Sequence, residues 1–229
     1  MGRKKYHGRR VSAMIFDLDG TLIDSGLDIA LSANFARGHF GLAALDEATA
    51  ISYVGDGVEK LLERALTVDG VAPAPEMVAE GLGVFRDHYG RHCLDTTALY
   101  PGVLDTLLHF HRLPMMIATN KPRAFTDAIL AGLHVDGAFR RVVTADEAPR
   151  KPDPAQLAMC LDGLDVAPAE VAVVGDSPND IRAARALGAV AVGVTYGLKP
   201  AGVIRAEQPD LILTAFAELR DAFPARDTL

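Results

Sequence analysis

The sequence predicts an α/β protein, a parallel sheet with helices on both faces, interrupted after its first strand by a small all-helical insertion. Three observations carry this reading. Short apolar runs recur at residues 11–16, 115–118 and 171–174, as in strands buried on both faces. Between them lie segments whose apolar residues return every three to four positions, the spacing of helices. From residue 23 to about residue 95 the helical spacing continues with no convincing strand. Strands alternating with helices indicate a parallel sheet, and the break in the alternation marks the insertion.

Taken in order, the first ten residues, Met1 to Arg10, are basic and read as a solvated tail. The apolar run after them is too short for a secretory signal. That run, residues 11–16, is the first strand, and Gly20 ends it. Leu27, Ala30, Leu31, Asn34 and Phe35 mark a helix. Val58, Leu61, Leu62, Ala65 and Leu66 mark another, with Gly70 as its stop. Pro73 and Pro75 turn the chain into a helix over residues 76–92. After Tyr100-Pro101-Gly102, the residues Val103, Leu104, Leu107, Leu108 and Phe110 give a helix. Residues 115–118 form a strand ending in Thr119-Asn120-Lys121-Pro122, and residues 124–133 a helix. Val142-Val143 is a weak strand. Asp153 and Pro154 open a helix as N-cap and first-turn proline. Residues 171–174 are a strong strand running into Gly175-Asp176-Ser177, and residues 179–187 a helix stopped by Gly188. Residues 189–194 form the next strand and Leu211-Ile212-Leu213 an edge strand, while residues 224–229 are expected to fray. The expected organisation is a core of residues 11–22 and 96–229 and a helical cap of residues 23–95.

The chain has 229 residues, 49% hydrophobic and 23% charged, as in ordinary globular proteins. Its net charge of −7 argues against nucleic-acid binding through a general basic field. No apolar run approaches bilayer-spanning length. Cys93 and Cys160 have no metal-ligand spacing and fit a reduced, cytoplasmic setting.

Chemistry-bearing residues fall at strand ends. Asp17 and Asp19 follow the first strand, Thr119 and Asn120 the strand 115–118, and Asp176 and Asp180 the strand 171–174, while Lys151 follows the weak strand. In an open parallel sheet the C-terminal edge is where ligands bind. Two carboxylates as close as Asp17 and Asp19 repel and need a cation or a shared proton. The set suits phosphoryl transfer, which is mainly positioning and charge stabilisation. Each residue also has an ordinary reading. The acidic pair could be a turn, Thr119 and Asn120 a strand end before Pro122, Lys151 a solvent-facing lysine with Arg150 taking the anion, and Asp180 a first-turn acid on a helix.

Together these motifs resemble the haloacid dehalogenase superfamily of phosphatases. Asp17-Leu18-Asp19-Gly20-Thr21 matches its first motif. Thr119, Lys151 and Gly175-Asp176-Ser177-Pro178-Asn179-Asp180 match the others in order. The helical insertion resembles its small cap. The resemblance implies a Rossmann-like core and a Mg2+-dependent phosphomonoester hydrolase. Asp17 would be the nucleophile that becomes an aspartyl phosphate, and Asp19 the acid–base group. Asp17, the Asp19 main-chain carbonyl and Asp176 would hold Mg2+, with Asp180 in support, and Thr119 and Lys151 would hold phosphate oxygens.

Within the superfamily, Asp19 favours phosphate esters over halides, and residues 54–66 resemble bacterial phosphoglycolate phosphatases. That implies a small phosphorylated metabolite, 2-phosphoglycolate first, as substrate, and a monomer or homodimer. The alternatives are a pyrophosphatase, a sugar-phosphate phosphatase, a phosphomutase or a non-catalytic phosphate-binding module. The Gly55-Asp56-Gly57 loop could approach the substrate closely, or be a plain loop. Asp56 departs from the uncharged residue expected there, and an extra acid beside an anionic substrate counts against phosphoglycolate. Arg64, on the following helix, is a candidate partner for a substrate carboxylate, with a surface role as the alternative.

Overall fold

The computed structural model describes residues 11–223, so the expectations for residues 1–10 and 224–229 fall outside the described residues. In chain order the elements are β1 (Ala13–Phe16), β2 (Ile23–Asp24), α1 (Gly26–His39), α2 (Glu47–Ser52), α3 (Val58–Ala65), α4 (Pro75–His92), β3 (Ala98–Leu99) and α5 (Val103–His109). There follow β4 (Met115–Ala118), α6 (Arg123–Gly132), β5 (Arg141–Val143), α7 (Ala155–Leu161), β6 (Val171–Gly175), α8 (Pro178–Leu187), β7 (Val190–Val194), α9 (Ala201–Ala206), β8 (Leu211–Leu213) and α10 (Leu219–Ala222).

Six strands pair in parallel in the order β5-β4-β1-β6-β7-β8. Both faces are buried, as the unbroken apolar runs require. Along β1, Met14 and Phe16 enter one core cluster while Ala13 and Ile15 enter the other. Phe16 is fully buried and meets the rings of Phe139 and Phe216. The chain moves from β1 outward to β4 and β5, then returns to β6 on the other side of β1. The crevice above β1 is therefore the topological switch point, where open α/β sheets bind ligands.

Helices α1 to α4 lie between β2 and β3, which pair antiparallel as a two-stranded ribbon. This ribbon was not expected from sequence, because strands of two residues have no periodicity to read. A buried carboxylate fixes the same crossing. Asp28 accepts from the backbone N–H of Thr96 and Thr97 (3.1 and 2.9 Å) and from both their hydroxyls (2.6 and 2.8 Å). Burial would raise its pKa, but these bonds outweigh burial and hold it below the usual carboxylate range.

Three local expectations differ from the structure. The inward face of α1 is Ile29, Ala30, Ala33 and Ala36, whereas Leu31 and Phe35 face outward at 46% and 51% exposure. Alanines let α1 lie close against α4, and the bulkier residues are left outside. Helix α3 ends at Ala65, well before Gly70, which instead takes φ +77° in a turn closed by paired Val68–Val71 backbone bonds. Helix α7 starts at Ala155, one residue later than expected, with the Asp153 carboxylate accepting from Ala155 N–H at 2.8 Å.

Candidate active site

Parallel pairing sets Phe16 level with Ile117 on one side and Val174 on the other. The residues that follow these three strands therefore emerge at one edge, and Asp17 N–H donates to Val174 O at 2.9 Å. The Lys151 ammonium lies among them with its side chain 2% exposed. It donates to Ala118 O (2.6 Å) and Asp180 Oδ1 (2.6 Å) and pairs with Asp17 Oδ1 at 2.8 Å. Three partners satisfy the three protons of an ammonium. Burial alone would pull this lysine down, but Asp17 and Asp180 outweigh burial and keep it above its ordinary value. Lys151 is thus no solvent-facing lysine. Arg150 does not line the cavity and is 40% exposed, 3.8 Å from Glu59.

Asp180 is placed by the start of α8. Ser177 and Asp180 form a capping box, and Asp180 Oδ2 accepts from Ser177 N–H at 3.0 Å and Ser177 Oγ at 2.6 Å. Its other oxygen holds Lys151. It therefore fills both roles the sequence left open, first-turn acid and member of the strand-end cluster.

Asp17, Asp176 and Asp180 offer carboxylate oxygens within 4.8 Å of one another. Burial first, then Asp180, pushes the Asp17 carboxyl up to about 7, against the opposing charge of Lys151. Burial, then Asp17 and Asp180, pushes Asp176 well above the carboxylate range, although it accepts from Leu198 N–H at 2.7 Å and Lys199 N–H at 3.3 Å. Three carboxylates this close, two of them buried, have one neighbouring ammonium, which cannot balance all three. An all-oxygen donor set of this charge fits a hard divalent cation such as Mg2+. Gly20 makes room for the set, since it has φ +80° and any Cβ there would collide with the Asp176 carboxylate.

Asp19 is not part of that carboxylate group. Its carboxylate accepts from Ser25 Oγ at 2.5 Å and from Lys121 Nζ at 2.8 and 3.1 Å. Lys121 was not singled out from sequence. Its signal was a lysine directly after Thr119-Asn120 at a strand end. It is buried, and its ammonium also donates to Tyr89 Oη on α4 at 2.8 Å. Burial opposes its charge, yet Asp19 and Tyr89 outweigh burial and hold it above its ordinary value.

The remaining expected residues divide. Thr119 is buried at the cavity wall, where its hydroxyl accepts from Lys121 N–H at 3.1 Å. Asn120 also reaches the wall, but its amide is occupied. Nδ2 donates to Gly55 O and Lys151 O, each at 3.0 Å, and Oδ1 accepts from Lys151 N–H at 2.9 Å. It clamps loops together. Gly55 and Gly57 line the cavity, both at positive φ. Asp56 between them accepts from Asn179 Nδ2 at 2.8 Å and pairs with Arg64 at 2.6 Å. Burial would raise Asp56, but Asn179 and Arg64 outweigh burial and hold it low. Neither Asp56 nor Arg64 lines the cavity, and the charge of each is met by the other.

Residues 11–188 match the haloacid dehalogenase-like hydrolase family. The chain is 40% identical to the phosphoglycolate phosphatase of Chromobacterium violaceum over 217 residues, covering 93% of this chain and 96% of that protein. It is 34% identical to the phosphoglycolate phosphatase of Escherichia coli K12, covering 94% of this chain and 92% of that one. A crystal structure described as a predicted phosphoglycolate phosphatase from Haemophilus somnus superposes with a TM-score of 0.84 at 31% identity, over 92% of this chain and 97% of that chain.

Proposed function

The chain belongs to the haloacid dehalogenase-like hydrolases and is a phosphatase, and from that premise we propose that it is a Mg2+-dependent phosphomonoester hydrolase whose substrate is 2-phosphoglycolate. The observation that carries the mechanism is the Asp17 carboxylate, 2.8 Å from Lys151 and grouped with Asp176 and Asp180. The relatives named phosphoglycolate phosphatase support the substrate.

Asp17 Oδ attacks phosphorus, forming an aspartyl phosphate, and the P–O bond to the alcohol breaks. Asp19 gives its proton to that leaving oxygen, then takes one from water. The water oxygen attacks the same phosphorus, and the bond to Asp17 breaks to release inorganic phosphate. Lys151 and Thr119 are the donors for the phosphoryl oxygens. Asp180 fixes Lys151 through its 2.6 Å bond. Asp17, Asp176 and the Asp19 main-chain carbonyl would hold Mg2+, which supplies charge neutralisation to the phosphoryl group. Residues 23–95 act as a cap over a core of residues 11–22 and 96–229, keeping bulk water from the phosphoenzyme. A cytoplasmic setting suits Cys93 and Cys160, both buried and free.

The test is Asp17→Asn, which keeps shape and removes the nucleophile. Circular dichroism should be unchanged while phosphate release from 2-phosphoglycolate falls at least about 10³-fold, as for other nucleophile knockouts. Activity retained above a few per cent would remove Asp17 from that role.

A further inference from the structure

The cavity above Asp17 and Asp19 has two chemically different ends. At one, Asp17, Lys151 and Thr119 serve the phosphoryl group. At the other, Ile29, Val54, Val58, Leu61, Phe85 and Phe125 form an apolar wall. Beside this wall stand the Lys121 ammonium and the Tyr89 hydroxyl, each on a residue no more than 6% exposed, with the Asp19 carboxylate against Lys121. The space is small, about 50 Å³, so the part of the substrate beyond the phosphoryl oxygen is only a few atoms long.

The Tyr89 hydroxyl has a distinctive state. Its oxygen accepts from Lys121 Nζ, and among the described residues its own proton has no acceptor. A buried O–H donor without an acceptor is costly, and here it lies in the substrate cavity beside a buried cation. Lys121 Nζ already meets both Asp19 oxygens and the Tyr89 oxygen, so an anion seated here accepts the Tyr89 proton and shares the charge of Lys121 with Asp19, and a carboxylate supplies such an acceptor.

We propose that Lys121 and Tyr89 form the subsite for the carboxylate of the substrate, so that the enzyme selects short phosphate monoesters bearing a carboxylate near the phosphoryl oxygen. The proposal rests on the phosphoglycolate reading above and assigns its specificity to one core lysine and one cap tyrosine. It replaces Arg64, which pairs with Asp56 outside the cavity. It also explains how the cap senses substrate. Tyr89 belongs to α4 and Lys121 follows β4, so a carboxylate seated between them joins cap to core.

Lys121 also holds Asp19, so loss of turnover alone would not separate subsite from positioning. The test therefore uses two non-hydrolysable probes, 3-phosphonopropionate and propylphosphonate, which share the phosphonate and chain and differ in the carboxylate. Calorimetric Kd values with Mg2+ present should favour 3-phosphonopropionate in the wild type by about 10- to 100-fold, the range of a charge-assisted hydrogen bond. In Lys121→Met this gap should collapse to about threefold or less, whatever happens to the shared phosphonate affinity. Tyr89→Phe, which adds no buried charge, should narrow it by about three- to tenfold, and Arg64→Ala should leave it intact. A gap that persists in Lys121→Met and Tyr89→Phe overturns the subsite. If the wild type still prefers 2-phosphoglycolate over ethyl phosphate in turnover, the substrate reading survives that result. A wild type with no preference in either measurement overturns both.

Discussion

Replacing Asn120 by Asp tests whether this residue clamps loops or contacts substrate. Aspartate keeps the shape of asparagine and keeps Oδ1 as acceptor for Lys151 N–H. It replaces the Nδ2 donor with an oxygen that faces Gly55 O and Lys151 O, both at 3.0 Å in the native protein. Two buried donations are lost and two carbonyls lose their partner. At about 1–3 kcal/mol for each unsatisfied group, the cost is roughly 2–6 kcal/mol. For a chain of this size that corresponds to a fall in melting temperature on the order of 5–20 °C. Thermal and urea denaturation at fixed Mg2+ measure it, and hydrogen exchange at residues 55–57 should quicken, because the clamp ends on that loop. A variant with wild-type melting and exchange but lost kcat/KM would refute the clamp, since repulsion of a bound phosphate would then be the only effect left.

Two further outcomes follow from the same geometry. Asp19→Asn should lower kcat/KM on an alkyl phosphate by about 10²–10⁴-fold, the usual range for a general acid–base group. The loss should be smaller for an aryl phosphate, whose leaving group needs little protonation, and steady-state assays on the two esters check it, with unchanged activity on both ruling the role out. Saturating Mg2+ should raise the melting temperature of the wild type, by the equivalent of about 2.7 kcal/mol at a hundred times Kd. Asp176→Asn should abolish most of that rise, and a full rise in the variant would place the cation elsewhere.

The strand-end chemistry was legible because it depends on position along the chain. Strands β1, β4 and β6 are apolar on both faces, so their ends could be read from sequence. Parallel pairing then brings Asp17, Thr119 and Asp176 to one edge without further information. Lys151 follows an edge strand of three residues, a weaker signal, and its motif rather than its strand located it. What stayed hidden depends on partners remote in sequence. The pairing of Lys121 with Asp19 spans 102 positions and that with Tyr89 spans 32. Asn120 was legible as a strand-end residue beside Thr119, but its contacts to Gly55 and Lys151 were not. Asp56 looked like an acid aimed at substrate, yet Asn179 and Arg64 turn it away. On α1, the spacing of large apolar residues pointed to the wrong face because helix packing there uses alanine.

These contacts also join residues 23–95 to the rest of the chain at two places. At the first, the buried Asp28 carboxylate accepts from two backbone amides and two hydroxyls, and the β2–β3 ribbon joins the same two stretches. A buried, charge-assisted network of this kind is expensive to break. At the second, Asn120 donates to Gly55 O, Asn179 to Asp56, and Lys199 to Ser52 O at 2.7 Å. The first of these is a neutral hydrogen bond, and the other two each carry a charge, which makes them the stronger. The Tyr89–Lys121 bond is a further link between the two parts. On the subsite proposed above, a substrate anion between Tyr89 and Lys121 adds to these contacts while it is bound and removes them when it leaves.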